Sequence, residues 1–283
     1  MAGRLTITCV GEGSSARFVD GGRPGYRDRG IHLGGPADRR SALAANALLN
    51  QPAESTCLEL TLRGGTWELQ GSGELALTGA DMQWQLDDEP LPMNEVISLR
   101  GGSRLRGGFA RKGCRSYVAV RGYWELPRLL GSVEEGLPGA ARIARDFSWN
   151  ISTVAGQASA RVPALTLPLP DPVVLNAVPG PEWGLLDREQ QNWITTSTFR
   201  VGTDSNRQGI RLEAGPFRDA NLPTLLSSPV LPGTVQLTPS GPILLGPDAQ
   251  TIGGYPRVLI VVEELSSAFQ LRPGERLRFR VNL

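Results

Sequence analysis

The sequence has very few of the side chains on which most catalytic sites depend. Its 283 residues include one histidine, His32, and one lysine, Lys112. A metal site built from several histidines is therefore excluded, and a serine–histidine–aspartate triad would have to use His32. Lys112 stands in no GxxxxGK[ST] motif, so the chain has no phosphate loop of that type, and covalent lysine chemistry would depend on that one residue.

Cysteine, net charge and long apolar runs are also scarce. Cys9, Cys57 and Cys114 lie far apart in the sequence and match no CxxC spacing, so we expect small apolar side chains in strands, with reduced thiols. A net charge of +1 favours neither a nucleic-acid nor a membrane partner. The first residues lack the apolar core of a signal peptide, and no apolar run is long enough for a membrane span. We therefore expect a cytoplasmic protein.

Glycine and proline are abundant, and short apolar segments lie between them. The chain has 35 glycines and 22 prolines, and segments such as "RLTITCV", "RSYVAVRG" and "RVLIVVEE" have the length and alternation of strands. Helical patterns are few. The clearest follows Asp38, whose carboxylate can cap residues 39–50, and weaker ones cover 181–194 and 263–271. The sequence predicts a mostly β fold with few helices.

A proline-rich segment, "RVPALTLPLPDPVVL", indicates how the chain is divided. Spacing of this kind favours extended chain and is typical of a linker between domains. It predicts an N-terminal lobe of residues 1–168, which carries the loop 20–38, and a C-terminal lobe of residues 169–283. The alternative is an edge strand that passes over a barrel.

Two loops carry more polar chemistry than a turn requires. The first, Asp20 to Asp38, is rich in glycine and arginine, which suit close backbone approach and the binding of carboxylate or phosphate groups. The second, "QTIGGYPR" from Gln250 to Arg257, offers amide, hydroxyl and phenol groups beside a glycine pair. We expect the two loops to converge on one pocket, although a solvated loop and a plain strand connection remain the alternatives.

The order of motifs resembles the allophanate hydrolase subunit 2 family, over nearly the whole chain. This family includes the C subunit of 5-oxoprolinase, KipA-type regulators and part of the carboxyltransferase region of urea carboxylase. The matching segments, in chain order, are "DGGRPGYRDRG", "LAANALLNQPAESTCLELTLRGG", "LTGADM", "GCRSYVAVRG", "LLGS", "NRQGIRLE", "PGTVQLTPSGPILLGPDAQTIGGYPR" and "QLRPGERLRF".

The resemblance implies a fold, an activity and partners. The fold would consist of cyclophilin-like β-barrels in two lobes. The activity would be that of one component of an ATP-dependent 5-oxoprolinase, which opens a lactam to glutamate together with homologues of 5-oxoprolinase subunits A and B, the latter like allophanate hydrolase subunit 1. ATP would be bound through the complex, with no metal site in this chain beyond an ATP-bound Mg²⁺. The residues implied in substrate binding are Arg23, Tyr26, Asp38, Glu59, Arg207, Gln250, Thr251, Gly253, Gly254 and Tyr255.

Three positions depart from the family pattern. Val19 stands where glutamine is usual, Gly34 where serine is usual, and Asn206 where aspartate is usual. Valine and glycine cannot supply the missing hydrogen bonds, so we expect lower turnover than in relatives with the usual residues. Two alternatives therefore stay open: a non-catalytic KipA-like binding protein, and a component of a biotin-dependent carboxyltransferase that acts on urea or a similar amide. The residues do not identify a catalytic base.

Overall fold

The computed structural model describes residues 3–11, 13–156, 167–213 and 225–282. The mostly β fold class predicted from the sequence is confirmed, since strands far outnumber helices in these ranges. No helix in the described part of the chain is long and apolar enough to cross a membrane. Residues 161–166 of the predicted linker lie outside the described residues.

The chain forms two compact units, and one short segment departs from the predicted division. The first unit contains Met1–Arg23 and Gly34–Pro168, and the second contains Pro24–Leu33 and Leu169–Leu283. The middle of the loop 20–38 therefore belongs to the second unit, although the sequence placed the whole loop in the N-terminal lobe.

The first unit contains two antiparallel sheets. Its strands are β1 Gly3–Gly11, β2 Ser15–Val19, β3 Cys57–Thr61, β4 Arg63–Gly71, β5 Gly73–Gly79, β6 Gln85–Leu86, β7 Glu89–Pro90, β8 Val96–Leu99, β9 Gly102–Phe109, β10 Arg115–Val120, β11 Gly122–Trp124 and β12 Ser148–Thr153. One sheet has the order β11-β12-β1-β4-β9-β6-β7, and the other has the order β2-β3-β10-β5-β8.

Strand β1 shows why these segments form sheets with one buried face. Leu5, Ile7 and Cys9 alternate with less buried residues, so one side of the strand lies in the core. All three cysteines are buried and reduced, which confirms their prediction as small apolar side chains. Cys9 and Cys57 lie in strands as predicted, whereas Cys114 lies just before β10. Phe18 contacts Trp124 and Trp149 edge-on, with ring centroids 5.3 Å apart in both pairs.

The predicted helix after Asp38 is confirmed as α1, Arg39–Leu48. Asp38 caps it, because its carboxylate accepts hydrogen bonds from the backbone N–H of Ser41 at 3.0 Å and from the Ser41 hydroxyl at 2.5 Å. The alanine-rich face of α1 packs on β5 and β10. Val19 is fully buried in the same cluster, beside Ala42 and Ala45.

The second unit contains one large sheet and a two-stranded ribbon. Its strands are β13 Val173–Pro179, β14 Phe199–Arg200, β15 Gly209–Arg211, β16 Ser228–Pro229, β17 Thr234–Thr238, β18 Gly241–Leu245, β19 Ile252–Gly253, β20 Arg257–Glu263 and β21 Arg276–Val281. The large sheet has the order β14-β21-β13-β20-β17-β18-β15, with β13 and β21 parallel, and the ribbon pairs β16 with β19.

The second predicted helix, 181–194, is wrong in its bounds. A short 3-10 turn covers Trp183–Leu185, and the helix proper, α2, runs over Arg188–Thr196. The break has a physical cause: Asp187 and Gln190 form a capping box, in which each side chain accepts from the other residue's backbone N–H, so a new helix begins there.

The third predicted helix, 263–271, is reduced to the single turn α3, Leu265–Ala268. Glu263 still belongs to β20, and Glu264 has a φ of 65°, which ends the strand and prevents an earlier helix start.

Candidate functional site

In the first unit, two of the predicted site residues lie in one buried polar cluster. Glu59 on β3 accepts hydrogen bonds from the Ala37 N–H and from the Tyr117 hydroxyl, both at 2.8 Å. The same hydroxyl accepts from the backbone N–H of Asp38 at 2.7 Å. Since Glu59 and Asp38 are almost fully buried, these bonds compensate for the loss of water around them. The cluster fixes the segment that leads into α1.

A second pair of buried carboxylates holds the two ends of the loop 20–38. Asp20 accepts from the Ser132 hydroxyl at 2.6 Å and from the Val133 N–H at 3.0 Å. Glu134 accepts from the Gly35 N–H at 2.5 Å. Both parts of the loop that belong to the first unit are therefore tied to the segment 128–135.

Arg23 has a different role from the one predicted. Its side chain is fully buried, and its guanidinium donates to the backbone carbonyls of Leu129, Glu134 and Glu135. A guanidinium surrounded by carbonyl acceptors stabilises the chain around it and has no open face for an anionic ligand. The expectation that Arg23 binds an anion is corrected on this ground.

Burial raises the pKa of two groups in and beside this cluster. Burial, followed by the charges of Glu59, Asp20 and Glu134, raises the pKa of the Cys57 thiol well above its ordinary range. Burial and the charges of Glu59 and Asp38 likewise raise the pKa of Tyr117. Cys57 is therefore a neutral thiol, which argues against a nucleophilic role. In the described part of the chain, no group of three or more potential ligands is arranged to hold a metal ion.

In the second unit, the segment 24–33 is fastened to the loop "QTIGGYPR". The Nη2 group of Arg27 donates to the carbonyls of Val230 and Gln250, the latter at 3.0 Å. Tyr26 is half-buried and its ring lies under the guanidinium of Arg29, whose Cζ is 5.5 Å from the ring centroid. Part of the first predicted loop thus meets the second loop, through Arg27.

The loop "QTIGGYPR" is held in place by hydrogen bonds to Gln236 on β17. The Nε2 group of Gln236 donates to the Tyr255 carbonyl at 3.2 Å, and its Oε1 accepts from the Nε2 of Gln250 at 3.2 Å. Gly253 allows this contact, because a Cβ there would lie 2.6 Å from the Gln236 amide. Gly254 is also confined, with a Cβ position 3.2 Å from the Leu225 carbonyl. The glycine pair therefore serves the close packing of this loop.

The remaining predicted residues are divided between bracing and exposed positions. Arg207 makes a two-pronged ion pair with Asp248, at 2.8 and 2.7 Å, so its charge is used inside the protein. The Thr251 carbonyl accepts from the Val230 N–H at 3.1 Å. Asn206 accepts from the Gln208 N–H at 2.8 Å, as an aspartate there would also do. Gln250 and Tyr255 present their side chains to solvent.

Seven of the ten predicted residues therefore fall into two groups, one in each unit. Asp38 and Glu59 are joined in the first unit, while Gln250, Thr251, Gly253, Gly254 and Tyr255 lie along one loop in the second. That Arg23 and Tyr255 share a pocket stays a prediction.

Sequence reasoning missed the residues that hold these groups in place. Gln236 interrupts the apolar strand "TVQLT" with an amide, and a polar residue in a buried strand is the signal that could have identified it. Glu134 and Tyr117 carry no comparable signal, because their partners are far away in the sequence.

Comparison with known proteins identifies the family to which this fold belongs. The model of the family described as carboxyltransferase domain, subdomain A and B, matches residues 29–281. The chain is 33% identical to the C subunit of 5-oxoprolinase from Escherichia coli over 280 residues, which cover 96% of this chain and 90% of that protein. It is 23% identical to urea amidolyase of Saccharomyces cerevisiae over 304 residues, but these are only 16% of that protein.

A solved structure shows the same fold within a longer chain. The crystal structure of urea carboxylase from Kluyveromyces lactis superimposes with a TM-score of 0.85 at 24% identity, over 97% of this chain and 27% of that one. With a family match over most of its length and a relative of nearly equal length, the chain belongs to the carboxyltransferase domain family, subdomain A and B.

Proposed function

We propose that this chain is the component of an ATP-dependent 5-oxoprolinase that binds the lactam substrate, and that homologues of subunits A and B complete the reaction. The observation that carries the proposal is the match to the C subunit of 5-oxoprolinase, which extends over 90% of that relative. Because the two chains match over nearly their whole lengths, the role of the relative does not depend on a large region that this chain lacks.

The second unit supplies the groups that suit a lactam. Gln250 and Tyr255 stand exposed on a loop that is braced by Gln236 and by Arg27. An amide and a phenol can each donate and accept hydrogen bonds, so together they can orient the N–H and C=O of a small cyclic amide. The loop 250–257 is therefore the substrate-binding element of this proposal.

The two arginines expected to bind anions are not available to ATP. Arg23 and Arg207, the arginines expected to bind anions, direct their guanidinium groups at backbone carbonyls and at Asp248. A triphosphate needs several free donors around it, and these two arginines do not supply them. In this proposal ATP and its Mg²⁺ are held by the partner proteins, and no step in this chain passes through them.

A second function is favoured by the family. The match to the carboxyltransferase domain supports a component that receives a carboxyl group from biotin on another protein. Both functions use a small amide as substrate, so the assay must separate lactam from urea.

The test is reconstitution of the complex. The purified chain is expected to form no glutamate from 5-oxoproline and ATP, since its buried carboxylates are engaged with the fold and its predicted anion-binding arginines are paired. Addition of the co-purifying partners should produce glutamate, measured by an enzyme-coupled assay. Turnover by the isolated chain would contradict the proposed division of labour.

Two other assay results would each favour one of the alternative functions. Urea-dependent carboxyl transfer in the presence of a biotin protein would favour the second function. Stable association with the partners and no turnover of either compound would favour a regulatory role.

A further inference from the structure

We propose that Gln236 fixes the side-chain amide of Gln250 so that its Oε1 accepts a hydrogen bond from the N–H of the substrate. Gln236 is a positioning residue, and Gln250 selects an amide or lactam over an ester or lactone. This inference rests on the proposed function and adds which end of the Gln250 amide faces the substrate.

The orientation follows from hydrogen-bond chemistry. The Tyr255 carbonyl can only accept, so the end of the Gln236 amide that contacts it, at 3.2 Å, must be the NH₂ group. The other end of Gln236 is then an oxygen, which can only accept. The group of Gln250 that faces it at 3.2 Å must therefore be Nε2, and Oε1 of Gln250 is turned the other way.

The packing around Gln236 preserves this orientation. Its side chain is 1% exposed, so water cannot replace its partners. Gly253 closes over the amide, because any larger residue would place a Cβ 2.6 Å from Nε2. Gln236 also lies where the pairing of β17 with β20 shifts register, which directs this part of the strand toward the loop.

The exposed end of Gln250 is a hydrogen-bond acceptor without a protein donor in the part of the chain that the structure describes. A carbonyl oxygen held in one direction favours a ligand with an N–H and repels a ligand with a ring oxygen in the same place. The chemical class selected is therefore an amide or lactam with a free N–H.

The experiment compares 5-oxoproline with its ring-oxygen analogue, the γ-lactone 5-oxotetrahydrofuran-2-carboxylate, which has the same shape without the N–H. Affinities of the reconstituted complex for both compounds are measured by calorimetry, together with kcat and KM for 5-oxoproline. The wild-type complex should bind the lactam about tenfold more tightly, the factor expected for one good hydrogen bond.

Three variants identify the source of this preference. Gln250→Leu removes the acceptor and should bring the ratio of the two affinities close to one. Gln236→Leu should have a similar effect, with KM raised and kcat within about twofold, because Gln250 becomes free to rotate. Thr238→Val, which loses a buried hydrogen bond on the same strand, is the control and should retain the full preference.

The outcomes separate the inference from the proposed function. An unchanged ratio in Gln250→Leu, or equal binding of both compounds by the wild-type complex, overturns the inference alone. If the wild-type complex binds neither compound, the proposed function is overturned together with it. Should Gln236→Leu fail to fold, the exposed Gln250→Leu still decides the question.

Discussion

At the scale of single residues, position 34 shows how the local backbone selects a side chain. Gly34 has a φ of 71°, and a Cβ there would lie 2.5 Å from Oε2 of Glu134. A serine at this position would thus meet both backbone strain and a buried carboxylate.

We therefore expect Gly34→Ser to lower the free energy of unfolding by about 2–4 kcal/mol, from left-handed strain and overpacking together. The matched control is Gly101→Ser in the same unit, where φ is 75° and a Cβ would have no neighbour within 4 Å, so only the strain remains. Urea unfolding measures the free energy of unfolding of both variants. Equal losses would show that Glu134 moves aside without cost.

A second residue-scale prediction concerns pH. Hydrogen bonds from Arg257 to Glu182, between 2.6 and 2.8 Å, lower the pKa of that carboxyl from its ordinary value of 4.5. A lowered pKa means that the stabilisation is present above pH 4.5 and disappears as the pH falls below it. Glu182→Gln should therefore lower the free energy of unfolding by about 1–2 kcal/mol at about pH 7. This is less than a fully buried pair would lose, because solvent partly screens the exposed carboxylate. Below about pH 4.5 the loss should become progressively smaller.

The comparison for this variant is Glu189→Gln, an exposed carboxylate in the first turn of α2. It should change the free energy of unfolding by less than about 1 kcal/mol, the usual limit for a helix-dipole interaction. A Glu182 effect that is independent of pH would contradict the role given to its charge.

At the scale of elements, the segment 24–33 depends on Arg27 for its attachment to the second unit. Arg27→Met keeps the apolar stem but removes the hydrogen bonds to the carbonyls of Val230 and Gln250. We expect at least about tenfold faster hydrogen exchange in the segment and in the ribbon β16–β19, from the loss of two charge-assisted bonds. The control Arg29→Met removes only the stacking on Tyr26 and should leave the ribbon unchanged.

Elements were predictable from sequence where their causes are local. Asp38 and the alanines after it lie within one helical stretch, so α1 could be read directly from the chain. The break before α2 is also local, since Asp187 and Gln190 form a capping box three residues apart, but the continuous helical pattern on both sides of it masked this signal. The roles of Arg23 and Gln236 depend on partners at distant positions, and the residue type of Arg23 pointed to a ligand where the fold supplies carbonyls.

At the scale of the whole molecule, the chain enters the second unit twice. The segment Pro24–Leu33 and the stretch Leu169–Leu283 belong to it, separated by most of the first unit. We predict that a protease site inserted between Pro168 and Leu169 will cut the chain without separating the pieces, because residues 24–33 stay packed in the second unit. Native gel filtration after cleavage measures this. The same insertion in Arg27→Met should release more of the C-terminal piece, and complete separation in the unmutated chain would contradict the prediction.

The division of the second unit into two separate stretches of the chain also affects how its gene can recombine. A gene fragment that encodes residues 169–283 lacks the segment 24–33 that completes its unit. A single recombination event at the domain boundary would therefore deliver an incomplete module to its new host, and an exchange that worked would need two separate crossovers. Selection should keep the two units together in one reading frame, whatever larger proteins that frame is later joined to.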